Sequence, residues 1–151
     1  MAKKSGKSKT TLWLFLILVV LTAGAILTYQ TIINNNTYLK FNLRGGIGSL
    51  DNRMKISQEG QIHLTSRGDS YKKQLSGEEL AKFKQLVAQA DLDQQGSNFA
   101  PTGKPETIYY ELSFKGKELT YNDNTVPDNA QALVQFLTEV SNQILLANPA
   151  K

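Results

Sequence analysis

The chain has 151 residues, a formal charge of +4 and no cysteine. That length holds one ordinary domain plus an appendage, and 40% apolar residues are enough for a core, which excludes wholesale disorder. Without cysteine there are no disulfides, thiolate metal sites or cysteine nucleophile, and no lipid-modified N-terminal cysteine.

The charge is unevenly placed. Lys3, Lys4, Lys7 and Lys9 supply four of the 17 basic residues, which leaves 13 facing all 13 acids from residue 10 onward. The main domain is therefore neutral, with Lys and Arg interspersed among Asp and Glu. A phosphate-binding surface calls for clustered cations, so no nucleic-acid partner is expected.

After this basic tail, residues 1–11, comes an uncharged apolar run from Leu12 to Ile33. As a helix its 22 residues would reach about 33 Å, enough to cross a hydrocarbon core of about 30 Å. Its 13 Leu, Ile, Val and Phe residues give an insertion term of about −4 to −8 kcal/mol. Trp13 and Tyr29 stand near the ends, where such rings meet headgroups. The expectation is a transmembrane signal-anchor over residues 12–33, in contact with membrane lipid. The lysine-rich flank stays cytoplasmic and the C-terminal domain is outside. A second reading stays open: Ala23-Gly24-Ala25 has the pattern of a signal-peptidase site, with secretion after cleavage at Ala25. Apolar residues resume at Ile26 and persist to Ile33, which favours retention. Both readings export the domain.

Residues 34–37 read as a linker, 38–146 as the exported domain and 147–151 as a C-terminal tail. Tyr38–Leu43 alternates with period two, as a half-buried strand does. A glycine-rich loop, Arg44-Gly45-Gly46-Ile47-Gly48-Ser49, follows. Arg53–Ser57 and Gln61–Thr65 form a hairpin around Glu59-Gly60, and a short strand spans Tyr71–Leu75. Ser76-Gly77-Glu78-Glu79 has the form of a capping box. The helix behind it sets Leu80, Phe83, Leu86, Val87 and Ala90 on one face. Asp91 to Glu106 is a long irregular connection. Thr107–Phe114 is the strongest strand, and Lys115-Gly116-Lys117 turns it into Glu118–Tyr121. Pro127-Asp128 opens a second helix with the stripe Ala130, Leu133, Val134, Leu137, Val140 and Ile144. The order implies an α+β fold: an antiparallel sheet of five or six strands, two amphipathic helices on one face, and one transmembrane helix before it.

Catalytic patterns are sparse. His63 is the single histidine and lies in a strand, with no second histidine to share a metal. Glu78 and Glu79 are explained by the helix dipole. Asp91 and Asp93 resemble the start of a calcium loop, but its glycine and closing glutamate are missing. No serine has a histidine–acid partner in view. No catalytic residue, metal, cofactor or small-molecule substrate is expected, and the chain does not read as an enzyme. The Gly45-Gly46-Ile47-Gly48 segment follows a strand as phosphate loops do, yet lacks their Gly-Lys-Ser/Thr ending. It reads either as a connector or as a recognition loop, in which glycines permit close approach and Ile47 offers an apolar tip.

The strand ending in Arg44-Gly45-Gly46-Ile47-Gly48 resembles the emfourin-like inhibitors of thermolysin-type metalloproteases. So do the Leu75-Ser76-Gly77-Glu78-Glu79-Leu80 helix start, Leu86, Ala90-Asp91-Leu92, the Tyr109-Tyr110-Glu111-Leu112 strand, the hairpin at Gly116 and Val126-Pro127. The similarity runs from Tyr38 to Ile144, without the aromatic residue often seen after the two glycines. It implies a protein that occupies a protease's active-site region without reacting, with Arg44, Gly45, Gly46, Ile47, Gly48 and Ser49 as candidate contacts. A secreted metalloprotease or another envelope protein is then the partner; the alternative is a non-inhibitory envelope scaffold or interaction module. Replacing Gly45, Gly46 and Ile47 is expected to abolish inhibition and leave the fold intact.

Overall fold

A computed structural model describes residues 37–96 and 107–149. The expected basic tail and membrane helix, and all of the linker except Thr37, lie outside the described residues, as does most of the connection before Thr107. Among the described residues no helix is long and apolar enough to cross a membrane.

Among the described residues six strands and two helices follow one another from Thr37. They are β1 (Thr37–Gly45), β2 (Leu50–Ser57), β3 (Gln61–Ser66), β4 (Asp69–Gln74), α1 (Gly77–Ala90), β5 (Ile108–Phe114), β6 (Lys117–Asn122) and α2 (Asp128–Ala147). All pairings are antiparallel, in the order β4-β3-β2-β1-β5-β6. The fold is α+β. The first strand lies inside the sheet because β5 joins its free side after the helix and connection have passed.

Alternation divides the sheet into two unlike faces. One carries apolar rows that run across the strands. Ile62, Ile56, Leu39 and Phe114 are cross-strand partners, and so are Tyr71, Leu64, Met54, Phe41, Leu112 and Leu119. These rows join the helix residues Phe83, Val87, Ala90, Leu133, Leu137 and Ile144 in one buried cluster. Among the described residues this cluster runs from Leu39 to Ile144. The other face is polar.

Each turn has a local cause. Arg67-Gly68 and Lys115-Gly116 are two-residue hairpin loops with positive φ at both positions, the geometry that matches strand twist. A register shift between Thr37 and Leu39 accompanies the packing of Tyr38 edge-on against Phe83 and Phe114, with ring centroids 6.0 and 5.3 Å apart. The capping box forms as expected: the Ser76 hydroxyl accepts from the Glu79 N–H at 3.2 Å, and the Glu79 carboxylate accepts from the Ser76 N–H at 2.8 Å. Asp91 ends α1 in the left-handed conformation, and Asp93 is held by Lys115 at 2.9 Å. This ion pair gives Asp93 a structural role.

Candidate functional site

Six consecutive residues were expected to form a glycine-rich loop, but only four of them do. Arg44 and Gly45 belong to β1, paired with Asp51 and Leu50 on β2 and with Tyr109 and Ile108 on β5. The loop is the turn Gly46–Ser49, closed by the Ser49 N–H donating to the Gly46 carbonyl at 3.0 Å. Strand pairing overrides the local preference of glycine for loops because β1 has a partner on both sides.

The glycines have unlike roles. Gly45 has φ 93°, and a Cβ built on it would lie 2.3 Å from the Thr107 carbonyl oxygen. That same oxygen accepts the Gly46 N–H at 3.1 Å. Gly45 is thus the point where β1 and the start of β5 meet backbone to backbone, a place for no other residue. Gly46 has φ 71° and sits over Ile108. Gly48 has no positive φ and nothing within 4 Å of a built Cβ, so the fold does not demand glycine there. The expectation that Gly45 is replaceable without harm to the fold is therefore corrected.

Ile47 stands at the tip, 92% exposed. Both ends of its turn are tied by backbone hydrogen bonds, which makes it a protruding apolar group on a braced support. The Arg44 side chain is elsewhere: it points to the polar face, where its guanidinium donates to Glu111 at 3.0 Å, beside the Asn42 amide at 3.1 Å on the other carboxylate oxygen. Arg44 and Ile47 therefore do not form one contact patch.

Beside the turn the helices leave part of the apolar face open. Leu43, Leu50, Ile108, Tyr110 and Tyr71 floor a groove of about 480 Å³, and Thr138, Asn142 and Leu145 of α2 form its wall. Tyr110 also borders a smaller hollow with Asp123 and Gln135. Its hydroxyl donates to the Asp123 carboxylate. Burial, with that hydrogen bond and the nearby negative charge, pushes its pKa up to about 12. Tyr110 is therefore neutral around pH 7, with its hydroxyl proton committed to Asp123. The sequence reading missed this wall. Gln131, Gln135, Thr138, Asn142 and Leu145 recur at helical spacing and make a second stripe on α2, beside the core stripe; that was the available signal.

Among the described residues no three His, Asp or Glu side chains stand close enough together to hold a metal ion. His63 lies on the polar face between Lys55 and Lys72. Its pKa is held below the ordinary value by burial first, then by those two ammonium groups. No protein-family model, curated protein or solved structure matches the chain.

Proposed function

We propose that this is a membrane-tethered, extracytoplasmic protein-binding domain that inhibits a thermolysin-type metalloprotease through the Gly46–Ser49 turn and does no chemistry of its own. The observation that carries the reading is Ile47, an exposed large hydrophobic side chain on a turn braced at both ends. Such a group loses little freedom on binding, so more of its burial becomes affinity. The resemblance described above supplies the class of partner, and the apolar run over residues 12–33 supplies the tether.

Titration of soluble residues 37–151 against a thermolysin-type protease, followed by cleavage of a peptide substrate, tests this. Saturating, stoichiometric loss of activity with the domain left uncut is expected. Ile47→Ser should weaken it by about 30-fold or more, the cost of removing a central apolar anchor. No loss of activity across a panel of secreted metalloproteases would sink the inhibitor reading and leave a tethered interaction module.

A further inference from the structure

One row on the helix-covered face of the sheet breaks its apolar pattern. Asp69, Ser66, Asn52, Leu43, Tyr110 and Tyr121 are successive cross-strand partners from β4 to β6. Asn52 is 5% exposed and Ser66 7%, where the neighbouring row on the same two strands carries Met54 and Leu64. The Asn52 carboxamide and the Ser66 hydroxyl make no hydrogen bond among the described residues, and neither is sealed in as the Ser141 hydroxyl is. Both residues line the groove of about 480 Å³ between the sheet and α2, so their polar atoms open there. A largely buried amide left unpaired by the fold lowers stability, whereas an apolar residue of similar size would not. The fold therefore gives no reason for asparagine at position 52.

We propose that this groove binds an extended peptide segment of a partner protein, with apolar side chains on its floor and a backbone amide paired to Asn52. Its shape favours that ligand. Ile108, Leu43, Asn52, Ser66 and Tyr71 come from five neighbouring strands. The groove therefore crosses the sheet for about 19 Å, roughly the length of five or six extended residues. Its chemistry agrees. An asparagine carboxamide both donates and accepts, as a peptide group does, so it can pair with the N–H and the C=O of a chain laid beside it. Leu43, Leu50, Ile108 and Leu145 make the lining aliphatic, which suits leucine-like side chains at every second position of that chain. The charged lining residues, Arg67 and Asp69, have opposite signs and flank one turn, so no net charge selects an ionic ligand. The inference rests on the protein-binding half of the proposed function and is independent of the Gly46–Ser49 turn and of the protease.

The full chain, isotope-labelled and held in lipid nanodiscs, is titrated with the capped peptide acetyl-Ser-Leu-Ser-Leu-Ser-amide and followed by nuclear magnetic resonance. Saturating shifts of the Asn52 side-chain amide and of the Leu50 and Ser66 backbone N–H groups are expected, with none from an all-serine peptide. Asn52→Leu should weaken binding by about ten-fold, the loss of one or two hydrogen bonds. Its resistance to urea should stay level or rise, because an unpaired amide is gone; a merely structural asparagine would make the variant less stable. Asn142→Trp, at an exposed position of α2 that lines the groove, fills it and should abolish binding. This second variant serves should Asn52→Leu misfold. Absence of shifts at the groove, equal shifts with the all-serine peptide, or undiminished binding by either folded variant overturns the proposal. So does saturation by maltotriose without a response to the peptide, which would assign the groove to a glycan. Protease inhibition is read in its own titration. A chain that inhibits but ignores the peptide loses only the groove, and one that binds the peptide without inhibiting loses only the protease reading.

Discussion

Replacing Gly45 with alanine brings a methyl group to a place where the fold has only backbone. The added Cβ would stand 2.3 Å from the Thr107 carbonyl oxygen, at a φ of 93° that side chains rarely adopt. The conformational strain is worth about 1–3 kcal/mol, and forcing apart two paired strands adds about 1–3 kcal/mol. The displaced oxygen also accepts the Gly46 N–H, so the turn is loosened with the strand pair. A combined loss of about 3 kcal/mol is a large share of a domain's usual 5–15 kcal/mol. In urea unfolding followed by circular dichroism, this loss lowers the midpoint by about 1–3 M. Gly48→Ala, three residues away, meets nothing within 4 Å and needs no positive φ. Its midpoint should stay put or rise slightly, because alanine restricts the unfolded chain. Equal midpoints for the two variants would refute the backbone contact between β1 and β5 as described here.

Other outcomes follow from single groups. Ile47→Ser removes a side chain that is 92% exposed, so stability should change by no more than about 0.5 kcal/mol while partner binding falls. Glu79 has its pKa lowered first by the Ser76 N–H and then by Lys73. Its contribution is therefore full above the unfolded value of about 4.3 and is lost as pH falls through the lower folded value. Glu79→Gln should cost stability at pH 7, with the difference from wild type closing in acid; a difference that persists at the lowest pH argues against this cause. His63, the single histidine of the chain, gives one resolvable proton resonance. Lys72→Gln should raise its depressed pKa, because one of the two ammonium groups is gone. Since the folded value lies below the unfolded one, stability falls as pH drops from about 6.5 through the folded pKa, and less steeply in the variant. An unchanged titration would show that Lys72 does not contribute to the depressed value. Ser141 is 1% exposed with a hydroxyl that has no hydrogen-bond partner. Ser141→Ala should therefore be neutral or stabilising by about 1 kcal/mol in the same urea assay.

Much of the fold was legible because local patterns and final packing agree. The alternation of Leu39, Phe41 and Leu43 and the stripe from Ala130 to Ile144 each name a face that the structure buries, and the capping box at Ser76 marks where α1 begins. Hairpin turns at Gly60 and Gly116 were equally plain, since glycine at both takes a positive φ. These features are set by neighbours within a few residues in the chain.

What depends on distant neighbours could only be decided by the tertiary structure. Gly45 reads as loop in the sequence, yet it is strand, because Thr107 and Ile108 arrive from 62 residues and more downstream to pair with it. Phe136 falls outside the sheet-facing stripe of α2 but is buried, because α1 brings Phe83 to stack on it at 6.3 Å. The alignment of Lys40, Lys55, His63 and Lys72 across β1 to β4 is invisible in the linear sequence, where these residues lie far apart. Antiparallel register alone makes them neighbours, since pairing converts positions many residues apart into side chains one strand spacing from each other.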